Sequence, residues 1–228
     1  MTLDDLLSRA RIIPVITIDD PAHAIPLAHA LVAGGLPLLE ITLRTAAGLA
    51  AATAIARHVP GAIVGIGTVL TPSDLRRAED SGAQFALSPG ATPALLEAAA
   101  SRTLPFIPGI ATPSELLAAT LHGFTTVKFF PAAALGGPAA LRALAGPFPH
   151  ARFCPTGGIT EATAASYLAL PNVPAIGGSW LTQAADLRAQ AWPRIAAAAR
   201  RAVQLGSQAG VPPRNLPSSP QPTEETPP

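Results

Sequence analysis

Short apolar runs alternate with longer alanine- and leucine-rich segments along most of the chain. The short runs are rich in Val, Ile and Phe and end at Gly, Pro or polar residues, which is typical of buried strands. The longer segments between them have the length and composition of helices. The pattern predicts eight strands, at residues 12–17, 37–42, 62–67, 84–88, 105–110, 125–130, 151–156 and 173–178.

Helix boundaries are marked by specific residues. Thr-Pro pairs at 71–72, 92–93 and 112–113 predict three helix starts, because Thr caps free backbone N–H groups and Pro suits the first turn. Thr112 and Glu115 also fit a capping box. Glycines follow three helical segments where those helices should end, at Gly35, Gly82 and Gly123.

This order of elements predicts an α/β protein. Eight strand–helix units, spaced by roughly 20–25 residues, favour a parallel sheet closed into a (β/α)₈ TIM barrel, a single domain over residues 1–205. A doubly wound open sheet is the alternative, although no G-x-G-x-x-G follows the first strand. Residues 206–228 are rich in Pro and Ser with little apolar content, and we expect a disordered tail there.

Composition and charge narrow the range of functions. Of the 228 residues, 49% are hydrophobic and 13% charged, which is enough apolar material for a large core. The formal net charge is +1 without any run of like charges, so neither nucleic acid nor a membrane surface is an expected partner. Cys154 is the only cysteine, which excludes an internal disulfide. The N-terminus lacks a signal-peptide pattern and no apolar run has transmembrane length, so we expect a cytoplasmic protein.

Lys128 is the only lysine of the chain, and the other fourteen of the fifteen basic residues are arginine. It lies in a predicted strand between Val127 and Phe129. Two structural interpretations are open: the side chain points into water at a strand end, or it pairs with an acid. Arginine serves both purposes as well as lysine does, whereas only lysine can lose its proton near neutral pH and attack a carbonyl. The use of arginine at every other basic position therefore favours the interpretation that Lys128 is a Schiff-base nucleophile.

Glu40 is the acid that falls within the core of a predicted strand. Because strand side chains alternate, Glu40, Thr42 and Arg44 are expected to face the same way. A buried structural ion pair with an arginine is one interpretation. The other is a general acid/base, because breaking a carbon–carbon bond beside an iminium needs a base within reach of the departing hydroxyl proton.

Two glycine turns end the last two predicted strands, at residues 155–159 and 176–180. Each exposes backbone N–H groups and carries a hydroxyl, from Thr156 in one and Ser179 in the other. Barrel enzymes commonly bind phosphate at the loops after strands 7 and 8. The turns therefore predict a phosphate site.

A metal site finds little support in the sequence. The five histidines lie in predicted helices or loops, without the spacing of a helical metal site or a thiolate neighbour. We therefore expect neither a metal nor another cofactor. The histidines are His23, His29, His58, His122 and His150.

Several separated motifs resemble the 2-keto-3-deoxy-6-phosphogluconate (KDPG) aldolase family, which is often bifunctional with 4-hydroxy-2-oxoglutarate aldolase. The similarity covers roughly residues 10–185. The matching stretches are PVIT, ALVAGGLPLLEITLRT, AIVGIGTVL, GAQFALSPG, FIPGIATPSELL, VKFFPA, AGPF, RFCPTGGI and IGGSWL.

The resemblance implies a (β/α)₈ barrel, usually a homotrimer, that acts as a metal-independent class I aldolase. Lys128 would form the Schiff base and Glu40 would be the general acid/base. Arg44 and Thr68 would hold the pyruvate carboxylate, and Pro89 and Phe130 would line the pocket. The phosphate would be held by Thr156, Gly157, Gly158, Gly177, Gly178 and Ser179.

The implied reaction is the cleavage of KDPG to pyruvate and glyceraldehyde 3-phosphate in the Entner–Doudoroff pathway. The galactonate epimer of KDPG and 4-hydroxy-2-oxoglutarate are further candidate substrates. Two rival functions remain open at this stage. One is a metal-dependent class II aldolase or phosphosugar epimerase on the same barrel, and the other is a non-catalytic oligomeric scaffold.

Overall fold

The computed structural model describes residues 2–208. Its strands are β1 (Ile12–Ile16), β2 (Leu38–Thr42), β3 (Ile63–Gly67), β4 (Phe85–Leu87), β5 (Phe106–Ile107), β6 (Gly109–Ile110), β7 (Thr126–Phe129), β8 (Arg152–Phe153) and β9 (Ile176–Gly178). Its helices are α1 (Leu3–Leu7), α2 (Ala24–Ala33), α3 (Gly48–His58), α4 (Pro72–Asp80), α5 (Pro93–Ala100), α6 (Pro113–Leu121), α7 (Gly137–Ala145), α8 (Glu161–Leu168), α9 (Ala184–Arg188) and α10 (Trp192–Gln208), with a 3₁₀ turn at Pro21–His23 before α2.

All eight predicted strands are confirmed, and the fifth is divided into β5 and β6 at Pro108. Proline has no N–H to give to a neighbouring strand, yet the Pro108 carbonyl still accepts the Lys128 N–H at 2.8 Å. The helix α10 continues to Gln208, so residues 206–208 are helical and do not belong to the predicted tail. The rest of that tail, 209–228, lies outside the described residues.

The strands pair in parallel within two curved sheets. One has the order β5-β4-β3-β2-β1-β9 and the other the order β6-β7-β8. The parallel α/β class is therefore confirmed, and the architecture is TIM-barrel-like. Beyond β8, Thr156 forms a single parallel bridge with Gly177 of β9.

Alternating strand side chains divide the apolar core into two clusters. The outer cluster contains Leu39 and Val64 and packs against the helices. The inner cluster lies on the other side of the strands, where Leu6 and Leu7 of α1 cover it. Its remaining members are Ile13, Leu38, Ile63, Phe85, Leu87, Ile107, Cys154 and Ala175. Buried polar side chains are also present in the strands, and they include Glu40 and Thr42 of β2 and Lys128 of β7.

The predicted helix boundaries are confirmed. The hydroxyls of Thr71, Thr92 and Thr112 each accept a backbone N–H from the first turn of their helix. Gly35, Gly82 and Gly123 adopt φ of +91°, +82° and +86°, a left-handed conformation that suits glycine. None of the helices between residues 2 and 208 combines the length and the apolarity needed to cross a membrane.

Candidate active site

Lys128 and Glu40 meet inside the molecule although they come from different sheets. Lys128 lies on β7 and Glu40 on β2, and Lys128 Nζ donates to Glu40 Oε1 at 2.7 Å. Only 3% of Lys128 and 1% of Glu40 is exposed. The interpretation that Lys128 points into water is therefore wrong, and the partner of Glu40 is this lysine, not an arginine.

Glycines on β3 make room for the Glu40 side chain. A Cβ at residue 67 would lie 2.7 Å from Glu40 Cγ and closer still to Oε1. At Gly65, a Cβ would lie 2.6 Å from Cδ2 of the Phe85 ring. The apolar pattern of this IVGIG run predicts an ordinary strand and does not reveal its role beside Glu40. The alternation of glycine with branched residues was the available signal, since a strand glycine often marks a close approach.

The second carboxylate oxygen of Glu40 is buried and has no hydrogen-bond partner among residues 2–208. An unpaired buried acceptor costs about 1–3 kcal/mol, so Oε2 is a ready acceptor for a hydroxyl or a water molecule. The ring of Phe130 lies on the amine side of the pair, with its centroid 5.8 Å from Lys128 Nζ.

Cys154 lies close enough to the pair to feel its charges. Burial raises the pKa of the Cys154 thiol to about 12, with Arg152 and Lys128 opposing the rise and Glu40 adding to it. The thiol therefore stays protonated at neutral pH and is a poor nucleophile. Cys154 fills space in the inner cluster, and Lys128 is the candidate nucleophile that remains.

A cavity of about 460 Å³ opens at the carboxyl ends of the strands. Seven predicted site residues line it: Arg44, Phe130, Thr156, Gly157, Gly158, Gly177 and Ser179. The sequence interpretation did not single out the other lining residues, Val15, Pro131, Ala133, Ala134 and Ile159. Lys128 and Glu40 lie outside the lining, as do Thr68, Pro89 and Gly178. Phe130 of the lining connects the cavity to the pair, because its ring centroid lies 5.8 Å from Lys128 Nζ.

The two residues expected to bind a carboxylate lie beyond the ends of their strands. β2 ends at Thr42, and Arg44 follows in an exposed turn. The predicted alternation therefore holds for the buried Glu40 and Thr42 but does not extend to Arg44. Thr68 follows β3 directly and is half-buried, with φ of +62°. This conformation is rare for a β-branched residue and is typical of strained functional positions.

The two glycine turns come together at one end of the cavity. Gly157 and Gly158 adopt φ of +98° and +74°, and a Cβ at Gly158 would lie 2.6 Å from Ala133 Cβ. Gly177 and Thr156 are so close that a Cβ at residue 177 would lie 2.8 Å from Thr156 Cγ2. The two turns therefore pack directly against each other. Side chains at these glycines would fill the space, so the turns leave backbone open to a ligand.

Pro89 and Gly178 do not line the cavity but lie next to residues of the site. Pro89 is half-buried, and a Cβ at Gly109 would collide with its backbone. Gly109 is the residue opposite Lys128 in the β6–β7 pairing, so Pro89 lies one strand away from the lysine. A Cβ at Gly178 would lie 2.6 Å from Cε3 of Trp180, whose ring covers this turn. Within residues 2–208, no three His, Cys, Asp or Glu side chains group so as to hold a metal ion.

Comparison with known proteins gives one consistent result. A family model described as KDPG and KHG aldolase matches residues 3–198. The KHG/KDPG aldolase of Escherichia coli (strain K12) is 52% identical over 201 residues, which are 88% of this chain and 94% of that protein.

Two solved structures extend the similarity to the fold, and each of them contains a ligand. The KDPG aldolase of Zymomonas mobilis ZM4 with 3-phosphoglycerate is 41% identical, with a TM-score of 0.83, and the match covers 89% of this chain and 95% of that one. The enzyme of Legionella pneumophila, with pyruvate captured at low pH as a covalent carbinolamine, is 41% identical, with a TM-score of 0.85. That match covers 87% of this chain and 96% of the other.

Proposed function

The chain belongs to the KDPG and KHG aldolase family, and we propose that it cleaves KDPG to pyruvate and glyceraldehyde 3-phosphate through a Schiff base on Lys128. It is a class I aldolase, a carbon–carbon lyase of the Entner–Doudoroff pathway. The observation that carries the assignment to Lys128 is its buried contact with Glu40 at 2.7 Å, beside the cavity. A lone lysine paired with a carboxylate at this place supplies both a nucleophile and a base.

The first half of the reaction forms an imine. Glu40 takes a proton from Lys128, and the neutral amine adds to the C2 ketone of KDPG. Glu40 returns its proton to the hydroxyl of the resulting carbinolamine, and loss of water gives an iminium ion and an ionised Glu40, as expected of covalent catalysis by lysine. The carbinolamine of pyruvate in the Legionella pneumophila enzyme is the corresponding intermediate in that protein.

The second half breaks the C3–C4 bond. Its electron pair moves into the iminium and gives a neutral enamine, while the C4 hydroxyl loses its proton and becomes the aldehyde. Glu40 Oε2, buried and without a partner among residues 2–208, is free to accept that proton directly or through a water. The same proton then returns to C3 of the enamine. Addition of water to the new iminium releases pyruvate and restores the amine.

Substrate ends are bound away from the reacting carbons in this proposal. Arg44 and Thr68 hold the carboxylate, because a guanidinium can bind a carboxylate through two parallel hydrogen bonds. The phosphate lies at the glycine turns, where Thr156, Gly157, Gly158, Gly177, Gly178 and Ser179 surround one end of the cavity and its rim. Pro89 and Phe130 shape the walls. The 3-phosphoglycerate of the Zymomonas mobilis structure supports a site for a phosphorylated acid.

A second substrate, 4-hydroxy-2-oxoglutarate, is part of the proposal. The Escherichia coli relative carries both activities in its name, KHG/KDPG aldolase. Both substrates are 2-keto acids with a hydroxyl at C4, so the same imine and the same base serve each. The products from 4-hydroxy-2-oxoglutarate are pyruvate and glyoxylate. We also propose that the reaction takes place in the cytoplasm.

The proposal extends to a closed (β/α)₈ barrel in a single domain. Two features support closure. β5 and β6 flank Pro108 in one segment, so the first sheet continues into the second. Thr156 after β8 bridges Gly177 of β9, which returns to β1. Eight strand segments then follow one another around the ring.

We also propose a homotrimer, which the family resemblance implies. Leu117 and Leu121 lie one turn apart on α6 and are 54% and 87% exposed. This small apolar patch suits a subunit contact. Light scattering should give three times the mass of the chain, and a monomeric mass at working concentrations would contradict the trimer.

Replacing the nucleophile tests the proposed function. Lys128→Arg keeps the positive charge beside Glu40 but cannot form an imine, so KDPG cleavage should fall to background. The coupled release of pyruvate measures the rate, and thermal unfolding reports whether the fold survives. Retention of more than a small fraction of activity in folded K128R enzyme would exclude the mechanism.

A further inference from the structure

Arg44 lies outside β2, in the turn that connects this strand to α3. Arg44 is exposed, and it lines the cavity at the rim. A guanidinium that grips a carboxylate with two hydrogen bonds must be held within a fraction of an ångström of its working position. The turn itself therefore needs to be fixed.

Three threonine hydroxyls tie this turn to the carboxyl end of β1. Thr42 Oγ1 donates to the Ile16 carbonyl at 3.0 Å, and Thr45 Oγ1 donates to the Ile18 carbonyl at 2.6 Å. Thr17 Oγ1 lies 3.1 Å from Thr42 Oγ1. The bonds join residues on both sides of Arg44 to the same strand end. We name Thr17, Thr42 and Thr45 the threonine clip.

The direction of the third bond follows from counting protons. A hydroxyl has one hydrogen to donate, and Thr42 gives its hydrogen to the Ile16 carbonyl. Thr17 must therefore donate to Thr42, which leaves Thr42 as acceptor and donor at once. Each of the three hydroxyls therefore donates one bond: Thr42 to Ile16 of β1, Thr45 to Ile18 just beyond β1, and Thr17 to Thr42.

The rest of the turn is fixed from the other side. The Leu43 N–H donates to the Gly67 carbonyl at 2.9 Å, at the end of β3. A Cβ at Gly48 would collide with the Thr42 carbonyl, so the start of α3 lies directly against the end of β2. The backbone around Arg44 is thus held between the ends of β1 and β3. Thr45, the residue directly after Arg44, contributes the side-chain hydrogen bond to Ile18.

We infer that Thr45 is a positioning residue for substrate binding, acting through Arg44, with Thr17 and Thr42 completing the clip. This inference rests on the proposed function, in which Arg44 binds the keto-acid carboxylate. The clip fixes Arg44 relative to β1, the strand that also supplies Val15 to the cavity wall. It has no contact with Lys128 or Glu40 among the hydrogen bonds of the described residues, so its loss should weaken substrate binding and leave the chemical step nearly unchanged.

Kinetics of three variants test the role of Thr45. Thr45→Val keeps the shape of the side chain and removes the donor, so the KM for KDPG should rise about fivefold to tenfold, the effect expected for one hydrogen bond. The kcat should change less than twofold. Thr45→Ser restores the hydroxyl and should return the KM to near the original value. Thr53→Val is the matched control, because Thr53 Oγ1 donates to Leu49 O within α3.

A double-mutant cycle tells whether Thr45 acts through Arg44. In an Arg44→Ala background, Thr45→Val should produce no further rise in the KM for KDPG. The pyruvate concentration that half-saturates inactivation by borohydride should follow the same pattern. If Thr45→Val does not fold, Thr17→Val removes another hydroxyl of the clip and takes its place in the cycle.

Each contrary result has a distinct meaning. An unchanged KM in Thr45→Val, or a full additional effect in the Arg44→Ala background, would overturn the role of the clip while the aldolase assignment stands. An unchanged KM in Arg44→Ala alone would overturn the carboxylate assignment and the clip with it. The assignment of the Schiff base to Lys128 would stand in both cases, because imine trapping tests that assignment independently of the KM values.

Discussion

At the scale of single residues, the pair formed by Lys128 and Glu40 is unfavourable for folding. Each buried ion loses hydration worth several kcal/mol, and a hydrophobic pair of similar volume would fill the same space at least as well. Only 3% of Lys128 and 1% of Glu40 is exposed, so solvent offsets little of this loss. The proposed chemistry therefore accounts for the pair better than stability does. All other basic side chains are arginine, which made Lys128 recognisable from the sequence as a candidate for chemistry. Its 2.7 Å contact with Glu40, 88 positions away, could not be predicted from the sequence.

Glu40→Gln separates imine formation from bond cleavage. Gln keeps the size of the side chain but cannot accept the C4 hydroxyl proton, so the cleavage rate should fall about 10²–10⁴-fold. Trapping of pyruvate by borohydride should be partly retained. Glu115→Gln is the control, since Glu115 caps α6 on the surface and Gln suits that capping box as well. Unchanged cleavage kinetics in Glu40→Gln would remove Glu40 from its role.

Ser179→Ala tests the phosphate site. Ser179 lines the cavity at the second glycine turn, and one hydrogen bond to a charged phosphate is worth roughly tenfold in affinity. The KM for KDPG should rise by that factor, while the KM for 4-hydroxy-2-oxoglutarate, which has no phosphate, should change little. Ser166→Ala on the surface of α8 serves as control. An equal rise for both substrates would argue against a phosphate at Ser179.

At the scale of elements, strand alternation and helix caps were predictable because both follow from local sequence. The eight strands and the starts of α4, α5 and α6 depend on neighbouring residues alone. The close approaches between strands were not predictable. The glycines of β3 accommodate Glu40 and Phe85 from adjacent strands, and the sequence does not state which side chain will occupy the space beside a glycine. The expectation that Arg44 faces the same way as Glu40 and Thr42 fails, because β2 ends at Thr42, as predicted, and Arg44 lies in the turn beyond it.

Gly67→Ala tests the fit between β2 and β3. The added methyl would lie 2.7 Å from Glu40 Cγ, so the carboxylate must move away from Lys128. We expect a loss of about 1–3 kcal/mol in the free energy of unfolding and a large loss of kcat. Gly146→Ala is the matched control, since a Cβ there meets nothing within 4 Å and φ is −62°. Equal denaturant midpoints and activities for the two variants would contradict this account of β3.

At the scale of the whole molecule, the inner space is divided along the strands. Leu6 and Leu7 of α1 cover the inner apolar cluster on one side. The cavity of about 460 Å³ opens at the carboxyl ends of the strands, where glycines, Arg44 and apolar residues such as Phe130 line it. The sequence predicted the parallel α/β class, and it placed the candidate phosphate site in loops after the last strands, where the cavity lies. It did not reveal that α1 covers the opposite end, because five residues with two buried leucines carry no long-range signal.

Trapping the imine is the most direct measurement of the central claim, which is that Lys128 forms a Schiff base with a keto acid. The enzyme is incubated with pyruvate and borohydride, and the reduced adduct is located by peptide mass mapping. The chain offers only one other primary amine, its N-terminus, so the two possible sites are easily told apart. The account predicts one adduct per chain, on the peptide that contains residue 128, and none in Lys128→Arg. An adduct at the N-terminus alone, or no adduct in enzyme that still cleaves KDPG, would contradict it.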